Sequence, residues 1–162
     1  MGSLEDLYRE VILDHYRSPR NRGELDSPPA IKSEGKNPVC GDELTLYLLE
    51  NNDIIEDVKI AGSGCSISMA SASMMSSAIK GQSVQRAREI IQNFKEMMHI
   101  HEANLENEIS DQEESRENNL GELDALRGVV KFPVRIKCAV LAFNTLENAL
   151  NDGKAAKIAT SE

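Results

Sequence analysis

An amphipathic helix, a pair of alternating strands and then a series of helices follow one another along this chain. That order predicts an α+β fold, a small antiparallel sheet covered by helices. Three observations carry the prediction. Apolar residues recur at the helical period over residues 4–16, at a period of two over 43–60, and at the helical period again beyond residue 66. The 162 residues are 40% hydrophobic, enough for a core, but Trp is absent and aromatics reach only 4%. The core must therefore be mostly aliphatic, with Met as filler.

The first helix carries Leu4, Leu7, Tyr8, Val11, Ile12 and Tyr16 on one stripe and stops where Ser18-Pro19 and Gly23 break the pattern. A polar, Pro-containing stretch through Ser27-Pro28-Pro29 reads as a surface loop. Leu44, Leu46 and Leu48 then alternate with Thr45 and Tyr47. Asn51-Asn52-Asp53 supplies a turn, and Ile54, Val58 and Ile60 resume the alternation, which together make a hairpin with one buried face.

Residues Ser66 to Ile79 are rich in Ser, Ala and Met, a composition that lets a helix approach its neighbours closely; Gly81 ends it. Ser83 is a good N-cap for the next helix, whose stripe is Val84, Ala87, Ile90, Ile91, Phe94, Met97 and Met98. Residues 102–119 hold seven acidic residues against Arg116, six of the nine net negative charges, and are expected to be solvated and at most loosely helical. Leu120 to Leu126 read as a short helix ending at Gly128. Pro133 suits the first turn of a final helix with Ile136, Ala139, Val140, Phe143, Leu146 and Leu150 on its core face. The expected organisation is one domain over residues 1–162, with an acidic insertion at about 102–119 and a frayed end at about 151–162.

The net charge of −9 argues against nucleic acid or an anionic membrane surface as partner, because phosphate binding needs a basic face. The start, Met1-Gly2-Ser3-Leu4-Glu5-Asp6, has neither the basic residues nor the apolar stretch of a signal peptide. No apolar run reaches the roughly 18 residues of a membrane span. Three cysteines, an odd number, then point to reduced thiols and a cytoplasmic protein.

Those cysteines carry the chemistry. Cys40-Gly41-Asp42 follows Asn37-Pro38, Cys65 ends Gly62-Ser63-Gly64 at a helix start, and Cys138 lies about one turn inside the last helix. Buried core thiols are the plain alternative. With Asp42, however, the three make the four donors of a tetrahedral zinc site. Unpaired N–H groups at the helix start favour a thiolate at Cys65. Arg135, one turn before Cys138 on the same face, can offset the negative charge of such a site, as can Lys137; the spacing is equally compatible with Arg135 in an exposed ion pair. Cys40 sits on a loop and can swing at little cost, which suits exchange better than a purely structural site. His15 reads as a surface or packing residue, and the His99/His101 pair abuts the acidic segment, where a defined site is not expected.

At these residues the chain resembles the NifU/IscU superfamily. Leu13-Asp14-His15-Tyr16, Pro19-Arg20-Asn21 and Gly23 match its N-terminal signature, and Asn37-Pro38-Val39-Cys40-Gly41-Asp42, Gly62-Ser63-Gly64-Cys65 and Lys137-Cys138 its three cysteine motifs. Lys137 stands where cluster scaffolds of the IscU type carry His. The acidic stretch followed by Leu120–Leu126 and Lys131-Phe132-Pro133 resembles the insertion of the SufU branch. The resemblance implies a SufE/NifU-like fold and a zinc-dependent sulfur carrier. Cys40, Asp42, Cys65 and Cys138 would be its Zn²⁺ ligands and Cys40 the acceptor of persulfide sulfur from a pyridoxal-phosphate-dependent, SufS-type cysteine desulfurase. Downstream iron–sulfur assembly proteins would be further partners. Two alternatives stay open: a scaffold assembling a transient 2Fe–2S or 4Fe–4S cluster on the same ligands, and a structural zinc module that serves as a docking adaptor.

Overall fold

The computed structural model describes residues 4–27, 29–104 and 121–155. The bulk of the expected acidic insertion and the last seven residues lie outside them. Helix α1 (Leu4–Arg17) leads into three strands, β1 (Ile31–Asn37), β2 (Asp42–Asn51) and β3 (Ile54–Ser63). Helices α2 (Ser66–Ile79) and α3 (Val84–Asn104), a 3-10 segment (Gly121–Lys131) and α4 (Pro133–Ala155) complete the order. The sheet is an antiparallel meander, β1-β2-β3. This is the expected α+β architecture.

Strands β2 and β3 meet through a two-residue turn in which Asn52 and Asp53 both take positive φ, 55° and 64°. Asn and Asp tolerate that conformation better than most residues, and it matches the twist of a hairpin. Leu44, Leu46, Leu48, Ile55, Val58 and Ile60 form the inward face of the sheet. Met74, Met75, Met97 and Met98 join them in the core, where Phe94 and Phe143 stack at 3.9 Å between ring centres. The outer edge of β3 is covered: Asn21 and Gly23 hydrogen-bond to Ile60, and Gly81 and Gln82 to Ile55.

Strand β1 was not legible as a strand. It follows the stretch read as a surface loop, in residues assigned to no element, and its buried positions are Ser33 and Asn37 rather than large apolar residues. Helix α4 explains why. The Ser33 hydroxyl donates to the Thr145 carbonyl at 3.0 Å, and a Cβ on Gly35 would collide with the Thr145 hydroxyl. The helix packs so close that only small or polar side chains fit beneath it.

The same closeness governs α2, whose Ser68, Ser71, Ser73 and Ser76 are all buried. Ser71 donates to the Ala139 carbonyl of α4 at 2.6 Å, and Ser76 accepts from Asn21 at 2.9 Å. His15 resolves as a packing residue. It is 1% exposed, 2.7 Å from Ser73 and 2.8 Å from Glu122, so α1, α2 and the 3-10 segment meet on its ring.

Three boundaries differ from expectation. The short helix read over Leu120–Leu126 is a 3-10 segment that runs through Gly128 to Lys131. Leu123, Leu126 and Val129, all buried, repeat every third residue, and that spacing suits a 3-10 turn. Helix α3 continues through Glu102 to Asn104, and α4 stays helical to Ala155, past the point where fraying was expected. Ser83 caps α3 as anticipated, accepting from the Arg86 N–H at 3.0 Å.

Candidate metal centre

Residues Asn37 to Cys40 form a tight turn between β1 and β2, closed by the Cys40 N–H donating to the Asn37 carbonyl at 3.3 Å. Pro38 occupies the position of such a turn that favours a fixed φ. Gly41 follows with φ +72°, and open space surrounds the position its Cβ would take. Cys40 is thus carried on a turn outside the regular elements, and it is only half-buried.

Asp42 opens β2 and is 1% exposed. One carboxylate oxygen accepts from the Cys65 N–H at 2.8 Å, the other from the Asn37 side-chain amide at 3.2 Å. The first bond depends on Gly64: a Cβ there would lie 2.6 Å from Asp42 Oδ1 and 2.5 Å from Ser68 Oγ. Burial raises the Asp42 pKa, but hydrogen bonds from the Cys65 N–H, Cys138, Ser68 and Asn37 outweigh it and leave the carboxyl below its usual range.

Cys138 is fully buried on α4. Its thiol donates to the Cys40 sulfur at 3.1 Å and accepts from the Asn37 amide at 3.4 Å. Burial pushes this thiol well above the ordinary cysteine range, helped by hydrogen bonds to Cys40, Asp42 and Cys65 and by the charge of Cys65. All three cysteines are free.

Among the described residues, Cys40, Asp42 and Cys138 form a cluster whose donor atoms all lie within 4.8 Å of one another. Cys65 adjoins this trio without joining it at that distance. Its sulfur caps α2, accepting from the Ser68 N–H at 3.4 Å, while its backbone N–H holds Asp42. Arg135 is exposed yet lies against the sulfurs. The charge of Cys65, then hydrogen bonds to Cys138 and Cys65, hold its guanidinium above its ordinary pKa. Lys137, the other candidate cation, is exposed as well. Beside the cluster a cleft of about 590 Å³ opens between α1, the start of α2 and the 3-10 segment, lined by Tyr8, Ile12, Ile67, Val129, Phe132 and Arg135. His99 and His101 lie on α3, but their side chains fall outside the described residues.

Zinc fits this donor set. Two thiolates around a tetrahedral zinc stand about 3.8 Å apart for bonds of about 2.3 Å, so the Cys40 and Cys138 sulfurs need only separate slightly.

A family model described as the NifU-like N-terminal domain matches residues 7–139. The chain belongs to the NifU-like family. The zinc-dependent sulfurtransferase SufU of Bacillus subtilis is 44% identical over 149 residues, covering 92% of each chain. An iron–sulfur cluster assembly scaffold protein IscU from Streptococcus pyogenes is 39% identical, over 93% of this chain and 86% of the relative. Among solved structures, FiSufU from Fervidobacterium islandicum, described as an iron–sulfur cluster assembly scaffold protein for the SUF system, superposes with a TM-score of 0.73. It is 39% identical and covers 87% of this chain and 94% of its own.

Within this NifU-like domain the sequence located the cysteines, Asp42 and Arg135 but missed two residues that organise them. Asn37 bridges Asp42 and Cys138, and Gly64 leaves room for the Asp42 carboxylate. The polar residue at the close of β1 and the second glycine before Cys65 were the available signals.

Proposed function

We propose that this chain is a zinc-dependent sulfur carrier for iron–sulfur cluster assembly, taking persulfide sulfur onto Cys40 from a SufS-type, pyridoxal-phosphate-dependent cysteine desulfurase. One observation carries the reading: of the clustered donors, Cys40 alone sits on a loop and is half-open, whereas Asp42 and Cys138 are buried on regular elements. The likeness to SufU of B. subtilis, a zinc-dependent sulfurtransferase, supports it.

Cys40, Asp42 and Cys138 would hold the metal, with Cys65 as the adjoining fourth donor. Zinc, when bound, supplies a Lewis acid that keeps its sulfur ligands deprotonated. The chain's residues do the rest. The turn from Pro38 to Gly41 lets the Cys40 thiolate swing out from the cluster, and Arg135 offsets the negative charge left among the other donors. The Cys40 sulfur attacks the outer sulfur of the donor persulfide and forms a new S–S bond. The donor's own S–S bond breaks, its electron pair leaves with the donor thiolate, and no net oxidation occurs.

The test is desulfurase turnover with and without this protein. The parent should stimulate it, and Cys40→Ser should abolish stimulation while the far-UV spectrum stays unchanged. Normal stimulation by Cys40→Ser would refute the role. The scaffold relatives support a second reading, in which a cluster is assembled on the same donors. Efficient transfer of a reconstituted cluster to an apoprotein would favour that reading. No helix among the described residues is long and apolar enough to cross a membrane.

A further inference from the structure

We propose that Asn37 is the positioning residue that divides this site into a held pair, Asp42 and Cys138, and a releasable thiol, Cys40. The inference rests on the reading of Cys40 as the sulfur acceptor and concerns how the remaining donors keep their places when it departs.

Asn37 touches every member of the cluster, and it does so in two different ways. It closes β1 directly opposite Asp42 in the strand register and is 6% exposed. Its side-chain nitrogen donates to Asp42 Oδ2 at 3.2 Å and to Cys138 Sγ at 3.4 Å. The carboxylate can only accept, so it determines which end of the amide faces the site. The amide has two N–H groups, as many as these two partners require.

Cys40 is held differently. Asn37 reaches it through the main chain alone, by the carbonyl that accepts the Cys40 N–H at 3.3 Å. The Cys40 side chain therefore turns outward without breaking any bond of the Asn37 amide. What it gives up is the bond from the Cys138 thiol. After that loss, the amide still ties the Cys138 sulfur to Asp42, and Asp42 remains fixed by the Cys65 N–H. Loss of a group that orients metal ligands from behind costs about 10–100-fold in metal affinity, because such groups fix donor placement before the metal arrives.

The experiment uses the full chain with Asn37→Ala and Asn37→Leu; the second fills the volume of the amide without its donors. Zinc affinity, measured with zinc chloride against a chromogenic chelator, should fall by about 10–100-fold in both. The alkylation rate of Cys40 by iodoacetamide in the reduced, zinc-free protein should stay at the parent's value, since the backbone carbonyl is retained. Unchanged zinc affinity in a folded variant would overturn the proposal, and so would faster alkylation of Cys40.

The unmodified protein gives an independent reading should both variants fail to fold. The Asn37 side-chain amide protons should resist solvent exchange and shift in NMR spectra when zinc is added. Exchange at the rate of exposed amides, or no response to zinc, would overturn the assignment. None of these readouts involves a desulfurase, so failure of sulfur acceptance at Cys40 is recognised separately.

Discussion

Gly64→Ala isolates one contact on which the site depends. Gly64 is not among the glycines with positive φ, so alanine meets no backbone penalty there, and the perturbation is the methyl group itself. That methyl would lie 2.6 Å from Asp42 Oδ1 and 3.2 Å from the Asp42 Cβ, inside contact distance of both. Ser68 Oγ, at 2.5 Å, would have to turn from its bond to the Cys65 carbonyl. Asp42 moves only by giving up its 2.8 Å bond from the Cys65 N–H. Loss of a hydrogen bond to an ionised carboxylate costs about 1.5–3 kcal/mol. At about 2–4 °C per kcal/mol for a chain of this size, Tm should fall by about 3–12 °C. Thermal melts of the metal-free protein measure this, and zinc competition should show weaker binding in parallel. Gly41→Ala is the contrasting control: φ is +72° with open space beyond, so it carries backbone strain of about 1–2 kcal/mol and leaves the Asp42 bonds intact. A Gly64→Ala protein melting within about 1 °C of the parent, with undiminished zinc affinity, would refute the reasoning.

Packing and hydrogen bonding away from the site set further expectations. Phe143→Ala removes a fully buried ring stacked on Phe94 and should cost about 3–5 kcal/mol in denaturant unfolding. Tyr8→Phe removes the 2.7 Å bond to Asp124 that ties α1 to the 3-10 segment, for a loss of about 1 kcal/mol. Burial first, then the bond to Asp124 and its charge, raises the Tyr8 pKa above the ordinary 10.0. The stability contributed by that shift is therefore complete below pH 10 and lost as pH rises through the higher folded value, and Tyr8→Phe should remove this alkaline dependence from pH-resolved melts. Cys138→Ala should lower zinc content and stability together; undiminished zinc stoichiometry would count against Cys138 as a ligand.

What could be read in advance followed from large apolar side chains at a clear period. Leu44, Leu46 and Leu48 announced β2, and the stripe from Val84 to Met98 announced α3. Strand β1 was missed because its inward positions are Ser33, Gly35 and Asn37, chosen by the close approach of α4 rather than by hydrophobicity. A strand whose signal is the smallness of its side chains is hidden until its neighbour is known. The 3-10 segment was misjudged for a related reason: Gly128 lies in it with nothing around the position of a Cβ, so it acts as a filler and not as a stop. At the site, the chemistry of Cys40, Asp42 and Cys138 was visible in residue type, and the structure gathers these three. The cap that Cys65 forms on α2 is local, reaching only to Ser68, but the bridge from Asn37 to Cys138 depends on three-dimensional proximity, which spacing along the chain does not encode.

The central claim, that one loop-borne thiol carries the sulfur, is tested most directly by locating that sulfur. The zinc-loaded protein is incubated with a SufS-type desulfurase and cysteine, its remaining thiols are blocked, and its peptides are weighed by mass spectrometry. One added sulfur atom on the peptide containing Cys40 is the predicted result. Sulfur on Cys65 or Cys138 in its place, or no sulfur while the desulfurase turns over, would contradict the account.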